Sequence, residues 1–117
     1  MRYDLEDRTA KFGEAVIDFC KAVRQDAITR PLISQIVRSG TSVGANYMEA
    51  NAASSKKDFR NKIFICKKEA QETIHWLRMM QKCTPREEQM DMLRKEAQEL
   101  TFIFGKILST MRAKGNS

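Results

Sequence analysis

Apolar residues recur at helical spacing in four blocks, each opened by capping or turn chemistry. The first block runs from about 5 to 24, with Leu5, Phe12, Val16, Phe19, Cys20 and Val23 on one face. The second runs from about 30 to 53; Thr29 is its predicted N-cap and Pro31 falls in its first turn. Its inward stripe is Leu32, Ile33, Ile36, Val37, Gly40, Val43, Gly44, Tyr47 and Met48. The third, from about 56 to 82, follows Ser54 and Ser55, either of which can cap it, and Asp58 suits the positive end of the helix. Its stripe is Phe59, Ile63, Cys66, Ala70, Ile74 and Leu77. The fourth, from about 85 to 113, opens on "TPREE", with Thr84 as predicted N-cap, Pro85 at the first position and Glu87 and Glu88 in the first turn. Met90, Leu93, Ala97, Leu100, Phe104, Ile107, Leu108 and Met111 line its inner face. Nothing reads as a strand. The pattern predicts an all-α chain, one domain over residues 1–117, folded as an antiparallel up-down-up-down four-helix bundle. The last residues, "AKGNS", are expected to fray.

The second block contains an oddity. Gly40 and Gly44 lie four apart on the inward face, among Ser39, Thr41, Ser42 and Ala45. Each glycine costs about 1 kcal/mol against alanine in a helix interior, so their presence predicts a neighbouring backbone lying close. The hydroxyls can bond back to carbonyls one turn earlier. A kink near Gly40 is the plain alternative. A phosphate-cradling loop is disfavoured, because "GTSVGAN" lacks the GxxxxGK[ST] pattern.

Apolar residues also exceed what one core needs. "IFI" at 63–65 and "FIF" at 102–104 cannot each turn every side chain inward. Ile65, Trp76 and Met80 lie roughly opposite the charged side of the third helix, and with Phe102 they predict a surface for self-association.

Charge sharpens the picture. The 117 residues carry a formal net charge of +6, and the segment 55–83 holds eight basic against three acidic side chains. At about 100° per residue, Lys56, Lys57, Arg60, Lys67, Lys68, Arg78 and Lys82 fall within an arc of roughly 120° on the third helix. Lys62 alone lies elsewhere. Such a stripe, about 40 Å long, is either a solvated face or a polyanion-binding surface. Phe64, Gln71 and His75 share the arc, and an aromatic among cations can stack on an unpaired base. No element resembles a major-groove reader, which predicts phosphate contacts with little sequence preference.

Other chemistry finds little support in the residues. Cys20, Cys66 and Cys83 are odd in number and lack CxxC spacing, as reduced thiols of a cytoplasmic protein would. The start, "MRYDLEDRTAKF", carries acids where a signal peptide carries an apolar run, and no stretch has a membrane span's length. Glu72 and His75 form one Glu-x-x-His pair, half of what a carboxylate di-metal bundle needs, and His75 is the only histidine. A helical ribonuclease's Arg-x4–6-His motif would need arginine at 68, 69 or 70, where Lys68, Glu69 and Ala70 stand. No local signature of a hydrolytic triad is present, and Cys66 reads as core filler. No enzymatic activity, cofactor or metal is expected.

The stretches "LISQIVRSGTSVGANYMEA" and "SKKDFRNKIFICKKEAQETIHWLRMM" closely resemble a bacterial four-helix-bundle family first noticed as proteins encoded in intervening sequences of 23S ribosomal RNA genes. Some members are labelled S23 ribosomal protein. The resemblance spans about residues 8 to 112 and rests on Gln35, Arg38, Ser39, Ser42, Ala45, Asn46 and Glu49, then Lys57, Asp58, Phe59, Glu69 and Glu72. It implies a ring-shaped homopentamer without known enzymatic activity. A related branch serves as accessory protein of diversity-generating retroelements, which implies nucleic acid and a polymerase as possible partners. It also implies structural or inter-subunit roles for Arg38, Ser39, Ser42, Asn46, Glu49 and Asp58.

Two functions remain open at this point. One is binding of RNA or single-stranded DNA through the third helix. The other is a scaffold that docks an acidic protein and binds no nucleic acid.

Overall fold

A computed structural model describes residues 4–114. Four α-helices account for nearly all of them: α1 (Leu5–Ala22), α2 (Thr29–Asn51), α3 (Lys56–Met80) and α4 (Glu87–Ala113). The terminal residues 115–117 of the tail expected to fray lie outside the described residues. None of the described helices is long and apolar enough to cross a membrane.

Two of the four helix starts follow from their own sequence. Asp4 accepts a hydrogen bond from the Asp7 backbone N–H at 3.2 Å, and Glu6 and Asp7 sit in the first turn of α1. Ser55 accepts from the Asp58 N–H at 3.0 Å and so is the serine that caps α3.

The other two starts differ from expectation. Thr29 is the first residue of α2 and not its cap; Asp26 does the capping, its Oδ1 accepting from the N–H groups of Ile28 (2.8 Å) and Thr29 (2.9 Å). The Thr29 hydroxyl faces back, accepting from the Asp26 N–H at 2.9 Å and donating to the Arg24 carbonyl at 2.7 Å. Asp26 wins because its carboxylate reaches two orphan donors at once. At α4 the helix begins at Glu87, two residues after Pro85, and no side chain caps it. Proline biases the residue before it towards extended backbone, and the Glu87 N–H closes a tight turn on the Pro85 carbonyl at 2.8 Å before the helix is established.

The helices form a bundle 48 Å long and about 21–23 Å across. α2 packs on both α1 and α3, α3 packs on α4, and α1 touches α4 along a thin seam. Thr9 lies beside Gly44, Gly13 beside Thr41, and Val16 beside Gly40. On the next seam Ser39 meets Thr73, Val43 meets Cys66, and Glu49 meets Lys62. Lys67 meets Gly105 across the α3–α4 seam. Phe12, Val16, Phe19, Ile36, Val43, Ile63, Leu77, Leu100 and Phe104 fill the middle. Among the described residues no buried side-chain nitrogen or oxygen lacks a partner.

The small residues of α2 work as a contact face. The helix continues unbroken through Gly40, and a Cβ added there would stand 2.9 Å from Val16 Cγ2. One added at Gly44 would stand 3.4 Å from the Thr9 backbone. Ser39, Thr41 and Ser42 donate to the carbonyls of Gln35, Val37 and Arg38 at 2.9, 2.7 and 2.6 Å, which satisfies the hydroxyls inside the helix. Met48, assigned to the inward stripe by its spacing, is exposed; Tyr47 holds that level of the core instead, its ring 6.2 Å from that of Phe104.

Candidate nucleic-acid interface

α3 presents its cations as the sequence pattern requires. Lys56, Lys57, Lys68 and Arg78 are exposed along it, and Arg60 and Lys67 are partly covered. Lys82 lies just past the end of α3, in the turn, so the helix carries six of the seven. Lys56, Lys57, Lys67, Lys68, Arg78 and Lys82 pair with no carboxylate among the described residues. Lys62, outside the arc, behaves differently: its ammonium lies 2.7 Å from Glu49 on α2, and that hydrogen bond raises its pKa.

The charged face does not stop at α3. Two clefts open along the α3–α4 valley. One, of about 420 Å³, is lined by Arg60, Asn61 and Phe64 of α3 and by Leu108 and Arg112 of α4. The other, of about 290 Å³, is lined by Lys67, Phe102, Lys106 and small residues of α4, including Gly105. Gly105 leaves room for the Lys67 stem, whose Cε would lie 4.0 Å from a Cβ added at that glycine. Phe64 and Phe102 are 57 % and 65 % exposed, and the Lys106 ammonium stands 5.8 Å from the centroid of the Phe102 ring.

The contribution of α4 was not anticipated from the sequence, where the charge excess of segment 55–83 alone was drawn on. The signal was present: every acid of the fourth block lies at or before Glu99, and only Lys106, Arg112 and Lys114 follow. Three of these acids are also paired: Asp91 with Arg94, and Glu96 and Glu99 with Arg8. Arg8 of α1 grips Glu96 with two hydrogen bonds, at 2.7 and 2.9 Å, and reaches Glu99 at 2.6 Å. These bonds hold the guanidinium firmly charged, and they tie α1 to α4 across the thin seam. Sequence periodicity carries no signal for that clamp.

The motif residues gather on the opposite shoulder of α3. Arg38 donates to Gln35 at 3.0 Å and to Glu69 at 3.1 Å, and it also pairs with Glu72. Glu72 further accepts from the Trp76 indole N–H at 3.2 Å. Ser39 receives the Thr73 hydroxyl at 2.8 Å, and Asn46 donates back to the Ser42 carbonyl at 2.8 Å. Glu49 binds Lys62, and the Asp58 N–H is held by Ser55. The Arg38–Glu69, Arg38–Glu72, Thr73–Ser39 and Lys62–Glu49 contacts lock α2 to α3, the Arg38–Gln35 and Asn46–Ser42 bonds lie within α2, and the Ser55–Asp58 bond finishes the start of α3.

The four residues expected to form an apolar partner surface do not lie together. Met80 is fully buried and belongs to the chain's own core. α3 packs against both α2 and α4, so its buried arc is wider than a single stripe, and Met80 falls inside it. Trp76 is partly buried against the core, Ile65 is half-covered, and Phe102 stands among the lysines of the α3–α4 valley.

Of the remaining reactive side chains, His75 and Cys83 are exposed, whereas Cys20 and Cys66 are buried. His75 is exposed and meets Trp76 edge-on, with ring centroids 4.9 Å apart. Glu72, its sequence partner in the Glu-x-x-His pair, is taken by Arg38 and Trp76. Burial pushes the Cys20 thiol up to about 11 and the Cys66 thiol up to about 12, away from thiolate chemistry.

Comparison with known proteins agrees with this architecture. A solved crystal structure of a protein of unknown function from the S23 ribosomal protein family of Bacteroides thetaiotaomicron superposes with a TM-score of 0.78 at 31 % identity, covering 88 % of this chain and 96 % of that one. No curated protein gives a match. The model of the 23S rRNA-intervening sequence proteins matches residues 3–106, a span that takes in the small-residue face of α2, the Arg38 network and the cationic run of α3. The chain belongs to the 23S rRNA-intervening sequence protein family.

Proposed function

We propose that this protein is a non-enzymatic, self-associating helical bundle that binds nucleic acid through the cationic side of α3. One observation carries the reading: six cations of the stripe have no carboxylate partner among the described residues. The acids nearest to cations pair elsewhere, as Glu49 does with Lys62 and Glu96 with Arg8. An unneutralised row of this kind attracts polyanions and gains from counterion release. Contacts run to phosphates, so sequence preference is slight.

The helices alternate in direction, up-down-up-down. The seam registers support this, because positions rising along one helix meet positions falling along the next. The chain assembles as the ring-shaped homopentamer implied by its family resemblance and works in the cytoplasm. Uncovered apolar area supports self-association: Met92 is 69 % exposed beside Phe12, Ala15 and Leu93 in the α1–α4 seam.

The test is binding of labelled RNA across a salt series, with the wild-type chain and a variant carrying glutamine at Lys56, Lys57, Arg60, Lys67 and Lys68. Each lost phosphate contact should reduce the log–log salt slope by roughly 0.7 to 0.9. Equal binding and slope in the variant would remove the proposal. Retention of an acidic protein, with no nucleic acid bound by the wild type, would move the reading to a scaffold. Light scattering that gives 13.5 kDa, the mass of one chain, would end the claim of assembly.

A further inference from the structure

The two clefts of the α3–α4 valley share one pattern. Each holds one exposed phenylalanine and two cations: Phe64 with Arg60 and Arg112, and Phe102 with Lys67 and Lys106. Phe64 and Lys67 are three residues apart on α3 and therefore neighbours on its surface. The stem of Lys67 crosses towards Gly105, so the two clefts follow one another along the valley.

A solvated charged face needs no aromatics, and two phenylalanines more than half exposed among cations lose free energy to water. A duplex offers phosphates but keeps its bases stacked inside, so it would leave both rings uncovered. An unpaired strand supplies what both kinds of residue need: phosphates for the cations and base faces for the rings. We infer that the α3–α4 valley is a single-strand track, in which bases stack on Phe64 and Phe102 while Arg60, Lys67, Lys106 and Arg112 hold the intervening phosphates. This inference rests on the proposed nucleic-acid function and adds two points: a second ring, Phe102, stacks with Phe64 along one strand, and α4 supplies half of the site.

The test uses the full chain, Phe64→Leu and Phe102→Leu singly and together, Phe64→Trp, and Lys106→Gln with Arg112→Gln. Both phenylalanines are exposed, so leucine leaves the core intact, and circular dichroism melts verify that the fold persists. The probes are a single-stranded RNA 20-mer, the single-stranded DNA of the same sequence, and the corresponding DNA duplex. Each leucine variant should weaken single-strand binding about tenfold or more, with the salt slope unchanged because no phosphate contact is removed. Duplex binding should stay at its wild-type level, and Phe64→Trp should bind single strands at least as well as wild type. The α4 double substitution should lower the salt slope by roughly 1.4 to 1.8. Equal losses on RNA and DNA identify base stacking alone; a loss on one of them identifies that strand as the ligand. Leucine variants that bind single strands like wild type, while the α3 glutamine variant fails, would overturn the track and leave the phosphate-binding function standing. Failure of the wild type to bind any of the three probes would overturn both.

Discussion

The hydroxyl of Thr73 on α3 lies 2.8 Å from the hydroxyl of Ser39 on α2, with both side chains completely buried. Ser39 passes its own proton to the Gln35 carbonyl at 2.9 Å, and Thr73 also lies 2.8 Å from the Glu69 carbonyl. Each hydroxyl has one proton, so the pair is a short relay in which either partner has a fallback. Thr73→Val and Ser39→Ala should therefore each cost only about 1 kcal/mol. The double variant should cost less than the two single losses combined, because removing both partners leaves nothing unsatisfied. Urea unfolding of the four proteins closes the cycle; strict additivity would mean that the two hydroxyls do not interact.

Arg38 presents a harder case, because the carboxylate of its buried partner Glu69 has no other cation among the described residues. Glu69 is 8 % exposed and faces the guanidinium, with Glu72 beside it. Arg38→Met keeps the apolar stem but leaves two carboxylates without their shared cation, and it should cost about 1–3 kcal/mol. Arg38→Lys should recover only part of this, since an ammonium cannot serve Gln35, Glu69 and Glu72 with one planar fork. Denaturant midpoints for the three proteins decide it, and equal midpoints would show that the network contributes nothing.

The glycines separate into two kinds that sequence alone cannot distinguish. At Gly13 an added Cβ would meet Thr41 Cα at 3.5 Å, an ordinary contact, so Gly13→Ala should gain up to about 1 kcal/mol of helix propensity. At Gly40 the same atom would meet three atoms of Val16 at 2.9, 3.0 and 3.2 Å. Val16 is fully buried and stiff at its β-branch, so the clash should outweigh propensity and cost about 1–3 kcal/mol net. Opposite signs in thermal midpoint are the expected result; a stabilising Gly40→Ala would show the α1–α2 contact to be looser than described.

How far the sequence could be read depended on whether the signal lay within one helix. Periodicity placed all four helices to within a few residues, and the α3 stripe followed from angular position alone, because both are properties of a single helix. Features that need two elements were missed. Asp26 caps α2 from outside the helix, Arg8 finds Glu96 88 positions away, and the charge of late α4 becomes relevant only because α4 packs beside early α3. Met80 was misplaced for the same reason: how wide an arc a helix buries depends on how many neighbours it has.

Asp26 also gives α2 a pH signature. Hydrogen bonds from the Thr29 N–H, then the Ile28 N–H, hold its carboxyl below the usual range. Folding thus favours the ionised form. The stabilisation is complete above the unfolded carboxylate value of about 4 and is lost only as pH falls through the lowered folded value. Asp26→Ala should therefore melt lower than wild type at pH 7 and by the same margin at pH 5, with the gap closing on further acidification. Asp26→Asn, which keeps an acceptor oxygen without the charge, should fall between the two at neutral pH. A gap that widens towards low pH would contradict the assignment.

The thiols give a check on burial that does not depend on stability. Cys20 and Cys66 are buried and their thiols are pushed up to about 11 and about 12, so almost no thiolate exists at pH 8 and reagent cannot reach it. Cys66 is further engaged, its Sγ 3.5 Å from the Val43 carbonyl on α2. Cys83 is exposed in the turn after α3. The native chain should consume one equivalent of an aromatic disulfide reagent at pH 8, and the denatured chain all three. Cys83→Ser should abolish the native reaction and leave two equivalents after denaturation. Rapid native reaction of Cys66, identified by its loss in Cys66→Ala, would mean that α3 separates from α2 at Val43, and the α2–α3 seam would then be too mobile to hold the cationic side of α3 in a fixed orientation.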